Sequence, residues 1–265
     1  MQPRINNLSP RALAIQLLFT VGVLGVIAVP ANANPGARVV VREEVKVAHR
    51  AVLLEKLRLI TGLNHIRFDS HGALVLGSAE GNGSASARDL LTRAVEGNKF
   101  IVIEDATNRA DVAFCRVVPG RTVGNTTASL PVYVVLIDFE DFKHVTGDAR
   151  ARAAFDVGWG LLHELDHVVG ESDDPTNASV VGECEEHLNQ MRRELGLPIR
   201  SSYFFNALPA RTDPNFITRL VRLGFIETDP SQNKTKRYWL IWDATLVGGI
   251  DGQSETALVK PASQQ

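Results

Sequence analysis

The pentapeptide His163-Glu164-Leu165-Asp166-His167 constrains this chain more than any other feature of its sequence. It matches H-E-x-x-H, in which two imidazoles stand four residues apart and a carboxylate directly follows the first. On a helix this spacing places both rings on one face, where they can bind one zinc ion, and places the glutamate beside the metal as a general base. The sequence therefore predicts a helix with a metal-binding face.

The neighbouring residues favour a cleft-facing position for this pair. A helix turns about 100° per residue, so the faces follow from the spacing. His163 and His167 fall roughly opposite the apolar side, and the alternative is a pair of solvated histidines on an exposed face. Asp166 lies on the flank away from Glu164, where it can form a salt bridge or orient a histidine. The apolar side consists of Leu161, Leu162, Leu165, Val168 and Val169.

A third ligand is needed, because a catalytic zinc site uses three protein ligands and one open position for water. The next acidic cluster surrounds Cys184, which belongs to the apolar stripe of a second predicted helix. Glu183 and His187 share one flank of that stripe, and Glu185 lies on the other. Glu183 is the predicted ligand, with Glu185 and His187 as alternatives. A charged, solvated helix surface would give the same cluster.

The N-terminus has the layout of an export signal. Arg4 and Arg11 precede an uncharged run over residues 12–29, and a small-x-small site ends at Ala33. This pattern predicts a cleaved secretory signal peptide, residues 1–33, and a secreted or periplasmic protein. The alternative is an uncleaved membrane anchor, because a run of about 18 apolar residues approaches the length of a membrane span.

The rest of the chain is typical of one globular domain. Of its residues 45% are hydrophobic and 22% are charged, and the formal net charge of -2 leaves no basic footprint for nucleic acid. We expect a single domain over residues 34–250 and a disordered tail over 251–265. Export makes a disulfide between Cys115 and Cys184 one alternative, and two buried thiols the other.

Periodicity and turn residues predict an α+β fold, with strands first and helices afterwards. Predicted helices span residues 39–60, 87–95, 151–169 and 180–195. Predicted strands span 100–103, 112–118 and 131–139, with a short hairpin over 66–76 and a last hairpin made by 237–242 and 244–247.

These motifs resemble those of zinc metallopeptidases. In the gluzincin pattern, H-E-x-x-H is completed by a glutamate on a later helix, with a polar residue four positions beyond it, as at Glu183 and His187. Residues 189–203, NQMRRELGLPIRSSY, are similar to the segment after the metal helix in metallopeptidases of type III effectors and RHS-repeat toxins. Leu188 stands where that segment has a glutamate.

The resemblance implies a zincin-like domain, in which a small mixed sheet packs on the H-E-x-x-H helix and a ligand helix follows. It implies a secreted zinc-dependent peptidase that acts on a peptide or protein substrate. Zn²⁺ would be held by His163, His167 and Glu183. Glu164 would be the general base, and Tyr203 is a candidate oxyanion donor.

Two further expectations belong to this resemblance. Residues 132–137 are expected to form an edge strand that pairs with an extended substrate, or else an interior strand without substrate contact. The alternative functions are a secreted or envelope binding protein with a structural or degenerate metal site, and a zinc hydrolase acting on a non-peptide amide or ester.

Overall fold

The computed structural model describes residues 38–120, 130–177, 180–208, 219–229 and 231–248. The predicted signal peptide and the predicted C-terminal tail lie outside these residues. Within the described part of the chain, no helix is both long and apolar enough to cross a membrane.

Helices and strands alternate along the first two thirds of the chain, and a long hairpin follows. The helices are α1 (Val47–Thr61), α2 (Ala85–Glu96), α3 (Ala149–Ala153), α4 (Val157–Val169) and α5 (Glu183–Glu194), with a short 3-10 helix at Asp141–His144. The strands are β1 (Val39–Val41), β2 (Arg67–Phe68), β3 (Leu74–Val75), β4 (Phe100–Asp105), β5 (Cys115–Pro119), β6 (Val132–Ile137), β7 (Thr146–Gly147), β8 (Ile199–Arg200), β9 (Asn206–Ala207), β10 (Leu220–Asp229) and β11 (Lys234–Asp243). This is the predicted α+β class.

The main sheet is mixed and has the strand order β1-β4-β6-β5. β1, β4 and β6 run parallel, and β5 runs antiparallel to β6. Of the two alternatives for residues 132–137, the interior strand is confirmed and the edge strand is wrong, because β6 lies between β4 and β5. Its apolar run is buried on both faces, which requires an interior place in the sheet. The edge strands are β5 and β1, and β1 forms an isolated bridge to Ala73 at Val40.

Helix α4, which carries the H-E-x-x-H motif, packs into the core by its apolar side, as predicted. It contacts α1, α2 and α5, together with β5 and β6 of the main sheet. Leu161, Leu162, Leu165 and Val168 are all buried. The surrounding elements cover the apolar side of α4 and leave the histidine side toward β5 and the turn that follows the helix.

A second sheet, ordered β7-β11-β10-β8, is built around the β10–β11 hairpin. The prediction of a last hairpin from residues 237–242 and 244–247 is wrong: β11 pairs with β10, which precedes it. Phe225, Leu240 and Trp242 form a second apolar core with residues of α3. This places aromatic side chains of β11 near the N-terminal end of α4.

Two predicted helices begin elsewhere than expected. The valines at 39–41 form strand β1 instead of the first helical turn, since they pair with β4. The predicted helix over 151–169 is divided into α3 and α4. The carboxylate of Asp156 accepts hydrogen bonds from the N–H groups of Gly158 and Trp159 and so begins a new helix.

Candidate metal centre

The two histidines of α4 face each other across the predicted metal position. Their Nε2 atoms lie 3.1 Å apart, and both side chains are largely buried, with 13% and 17% exposed for His163 and His167. The helix ends at Gly170, one turn beyond the pair, as the sequence predicts.

Asp174, in the turn after α4, completes a triangle of ligand atoms. Its Oδ1 lies 3.3 Å from Nε2 of His163 and 3.5 Å from Nε2 of His167. Tetrahedral coordination with bonds of about 2.0–2.1 Å separates neighbouring ligand atoms by roughly 3.3–3.4 Å. The three atoms therefore have the spacing of one face of a zinc tetrahedron.

The hydrogen bonds behind the rings fix which nitrogens are free to bind a metal. Nδ1 of His167 lies 2.7 Å from the carbonyl oxygen of Ser172, which can only accept, so this nitrogen carries the proton. Nδ1 of His163 lies 3.5 Å from the carboxylate of Glu185, which also only accepts. Both Nε2 atoms thus face the Asp174 carboxylate, and two imidazoles deprotonated at Nε2 would converge with that carboxylate as three ligand atoms. This donor set fits a cation.

The pKa values of the three groups reflect that convergence. Burial lowers the pKa of His163, but hydrogen bonds to Asp174, Cys184 and Glu185 outweigh it and raise the pKa well above its ordinary value. The pKa of His167 is also raised, because hydrogen bonds to Asp174 and Ser172 outweigh its burial. The same bonds hold the pKa of Asp174 well below its usual range despite burial.

Cys184 lies close to the pair but behind it. Ligand atoms of His163, His167 and Cys184 lie within 4.8 Å of one another. The sulfur, however, is 3.3 Å from Nδ1 of His163, on the side of the ring away from the Nε2 triangle. One ion cannot contact both edges of that ring. Burial raises the pKa of the Cys184 thiol to about 11, and both Cys115 and Cys184 are free thiols.

The structure does not bring Glu183 to the histidine pair. Its side chain is exposed on the first turn of α5 and lies outside the lining of the cleft. Glu185 is buried but faces Nδ1 of His163, and His187 lies 2.8 Å from Asp166. None of the three acidic-cluster candidates contacts the Nε2 triangle.

Asp166, the charged residue between the histidines, points away from the metal position. Its buried carboxylate accepts hydrogen bonds from Ser172 Oγ, at 2.6 Å, and from His187 Nδ1. The carbonyl of Ser172 accepts a hydrogen bond from the His167 ring. By holding Ser172, Asp166 therefore supports His167, one of the candidate ligands, indirectly. This agrees with the expected role of orienting a histidine.

A buried ionic cluster stands behind His163. The fully buried carboxylate of Glu185 pairs with Arg192 and, at 2.8 Å, with Arg200. Burial raises the pKa of Glu185, but the two guanidinium charges hold it well below its ordinary value. Arg200 also donates to the backbone carbonyls of Ser202 and Tyr203. One arginine therefore connects the support of His163 to the segment that carries Tyr203.

Tyr203 is part of the site, with its hydroxyl already engaged. The hydroxyl donates to Oδ2 of Asp174 at 2.6 Å, and the ring lies 6.1 Å from that of His163 at an interplanar angle of 27°. This contact orients the Asp174 carboxylate so that Oδ1 faces the histidines. The predicted oxyanion donor is therefore a positioning residue in this state.

Glu164 lies at the floor of the cleft, next to the edge strand. It is 6% exposed, and its carboxylate lies near the backbone N–H of Val117 on β5. Burial raises its pKa, and the charges of His163 and His167 only partly oppose this shift. A buried carboxylate with a raised pKa beside a metal position is suited to accept and return a proton.

The cleft that joins these groups has a volume of about 1370 Å³. Its walls include Glu164, both histidines, Asp174 and Tyr203, together with residues of β5. This is larger than a typical pocket for a small ligand, which measures about 300–1,000 Å³. The cleft can accommodate an extended chain.

Asp174 is the site residue that the sequence analysis missed, although a signal for it is present. Gly170 stands three residues after His167, and two aspartates follow at 173 and 174. In zinc peptidases of the form H-E-x-x-H-x-x-G-x-x-H, the third ligand stands three residues after that glycine, which is the position of Asp173 here, one residue before Asp174. A search confined to the following helix passes over this turn.

No model of a known protein family matches this chain, no curated protein matches it, and no solved structure matches it. Functional assignment rests on the geometry of the site.

Proposed function

We propose that this chain is a secreted, zinc-dependent peptidase with a zincin-like arrangement of sheet and metal helix. His163, His167 and Asp174 are the proposed ligands, and Asp174 takes the place first given to Glu183. The observation that carries the proposal is the convergence of three potential ligand atoms, 3.1–3.5 Å apart, beside a buried glutamate. Export rests on the sequence of residues 1–33.

Zinc bound there supplies Lewis-acid chemistry, which acidifies water and polarises a carbonyl. Glu164 accepts a proton from the attacking water as the hydroxyl oxygen bonds to the carbonyl carbon. It then delivers this proton to the leaving amine as the C–N bond breaks. Tyr203 holds Asp174 in place, and Ser172 holds His167. Glu185 faces Nδ1 of His163, on the side of the ring away from the metal position.

The edge strand β5 supports a peptide as the substrate. The N–H of Gly120 and the carbonyl of Phe114 bond to β6. In an antiparallel pair, every second residue directs its N–H and carbonyl toward the partner strand. Phe114 and Gly120 belong to the series that faces β6. Val117 belongs to the other series, so its N–H and carbonyl point away from the sheet. An extended peptide can add to this edge directly beside Glu164.

The test is peptide hydrolysis by the purified protein and by Glu164→Gln, with zinc content measured in both. We expect wild type to bind one zinc per chain and to cleave peptides in a mixed pool. Glu164→Gln should retain zinc and lose at least about 100-fold in kcat, because the proton acceptor is gone. Glu186→Gln, on the exposed face of α5, is the matched control and should behave as wild type.

Three results would contradict the proposal. A wild-type protein that binds no added zinc would remove the metal centre. Unchanged hydrolysis by Glu164→Gln would remove the mechanism. If the protein hydrolysed small amides or esters but cleaved no peptide, it would belong to a different class of hydrolase.

A further inference from the structure

The turn that carries Asp174 begins in a strained backbone conformation. Glu171, which follows the helix-ending Gly170, has a φ of 55°, in the left-handed region that residues with a Cβ rarely adopt. Gly170 leaves no room for a side chain, because an added Cβ would stand 2.8 Å from the carbonyl oxygen of Asp166. A strained conformation of this kind persists only where neighbouring groups hold it.

Lys99 is the group that holds this turn at its start. Its ammonium lies 2.7 Å from Oε1 of Glu171 and 2.5 Å from the carbonyl oxygen of Val168. That carbonyl belongs to the last turn of α4, where the helix provides no amide partner and its dipole favours a positive charge. Lys99 therefore connects the end of the metal helix to the beginning of the turn.

The main sheet anchors Lys99 itself. This residue directly precedes Phe100, the first residue of β4, and its ammonium lies 5.9 Å from the centre of the Tyr133 ring on β6. Only 18% of its side chain is exposed, against 77% for Glu171. An isolated surface ion pair contributes little, but here one largely buried ammonium binds a carboxylate and a helix carbonyl together. The exposed glutamate thus gains its order from a fixed partner.

The residues that follow Glu171 contact the candidate ligands. The carbonyl of Ser172, the next residue, accepts from Nδ1 of His167. Asp174, three residues after Glu171, lies beside Nε2 of both histidines. A rotation of the chain at Glu171 would displace both groups, because they follow it within one short turn. Lys99 itself lies outside the lining of the cleft.

We propose that Lys99 is a positioning residue of the metal centre, which fixes the turn at Glu171 and thereby the position of Asp174. This inference rests on the proposed metal site. It gives a role in zinc binding to a residue that touches neither the metal position nor the cleft. The alternative is a contribution to stability alone, made at the C-terminal end of α4.

The experiment compares Lys99→Ala and Lys99→Arg with wild type. Competition with a chromophoric chelator measures zinc affinity, and urea titration of the zinc-free proteins measures stability. Lys99→Ala should bind zinc about 10–100-fold more weakly, the usual effect of losing a group that orients a ligand. Lys99→Arg should restore most of the affinity, because a guanidinium can also donate to a carbonyl and a carboxylate at once.

Glu171→Gly separates positioning from stability. Glycine adopts a positive φ without strain, so the zinc-free variant should be about as stable as wild type. It loses the contact with Lys99, however, and should bind zinc several-fold more weakly. The visible spectra of cobalt-substituted Lys99→Ala and Glu171→Gly should differ from that of wild type, because Asp174 is displaced. Lys143→Ala removes a lysine from an exposed lysine–glutamate pair and is the matched control, with affinity and spectrum unchanged.

Wild-type zinc affinity in both Lys99→Ala and Glu171→Gly would overturn the inference and leave the proposed metal centre standing. An unchanged cobalt spectrum in both variants would also overturn it, since Lys99 would then act through stability alone. If wild type binds no zinc, the proposed function fails, and this inference fails with it.

Discussion

At the scale of single residues, the site depends on which atom of each side chain faces the metal position. The H-E-x-x-H spacing was sufficient to place the histidine pair and Glu164 close together, because all three belong to one helix. The proposed third ligand, Asp174, depends on how the turn after Gly170 folds back, and helix periodicity does not describe a turn. Helix faces distinguish the sides of α5, but they cannot show that Glu185 approaches His163 from behind.

Asp174→Ala should weaken zinc binding by more than the roughly 10–100-fold that the loss of an outer partner costs, because it removes a direct ligand. The control is Glu183→Ala, which removes an exposed carboxylate from the first turn of α5. This variant should bind zinc as wild type does. Competition with a chromophoric chelator measures both. Weak binding by Glu183→Ala together with normal binding by Asp174→Ala would restore the gluzincin-like ligand set.

At the scale of elements, α5 and the segment after it support the metal helix instead of contributing a ligand. Residues 189–203 were singled out by resemblance, and the structure gives several of them a physical role. Asn189 accepts from the backbone N–H of Arg200 at 2.8 Å, and Arg192 and Arg200 hold Glu185. Buried ion pairs add little net stability, so fixing the orientation of His163 is the more convincing role of this cluster.

Arg200→Ala should therefore lower zinc affinity by about 10–100-fold, because both Glu185 and the Tyr203 segment lose their support. The visible spectrum of the cobalt-substituted protein should change with it, which a general loss of stability would not cause. Arg193→Ala, a change at an exposed arginine on α5, is the control. Equal affinities and equal cobalt spectra in the two variants would refute the positioning role.

The short 3-10 helix carries a second testable group, Asp141. Burial raises its pKa to about 6, the charge of Asp138 adds to the shift, and the N–H of Phe114 and the charge of His144 oppose it. The folded state thus binds this proton more tightly than the unfolded state. Its stabilising contribution is complete below about pH 3.8 and is lost as pH rises through about 6.

Asp141→Asn does not titrate, so the free energy of unfolding of wild type relative to this variant should fall between about pH 4 and pH 7. Urea titrations of both proteins at several pH values measure the difference, and contributions from the other carboxylates cancel. A difference that stays constant with pH, or that grows in favour of wild type, would contradict the assignment.

At the scale of the whole molecule, local patterns predicted the elements better than their partners. The burial of α4, the β2–β3 hairpin and three strands of the main sheet, β4, β5 and β6, followed from apolar spacing. The order of the strands could not be predicted in this way. An apolar strand has the same sequence pattern at an edge and in the interior of a sheet, so its place depends on its neighbours. β10 was missed for a different reason: it pairs with β11 in a local hairpin, but Arg222 and Gly224 interrupt its apolar pattern.

The metal position joins α4, the turn at Asp174 and the segment of Tyr203, so zinc should stabilise the whole fold. At free zinc about 100 times the dissociation constant, binding adds about 2.7 kcal/mol to the free energy of unfolding. For a chain of this size, that corresponds to a rise in Tm of roughly 5–10 °C. Calorimetry of wild type and His163→Ala with and without a chelator tests this. An equal shift in both proteins would mean that zinc binds elsewhere.

The most direct test of the central claim is X-ray absorption at the zinc edge of the zinc-loaded protein. The account predicts nitrogen and oxygen ligands only, at about 2.0–2.2 Å, with two imidazoles and one carboxylate. A sulfur ligand at about 2.3 Å would instead place Cys184 on the metal and contradict the triangle formed by His163, His167 and Asp174.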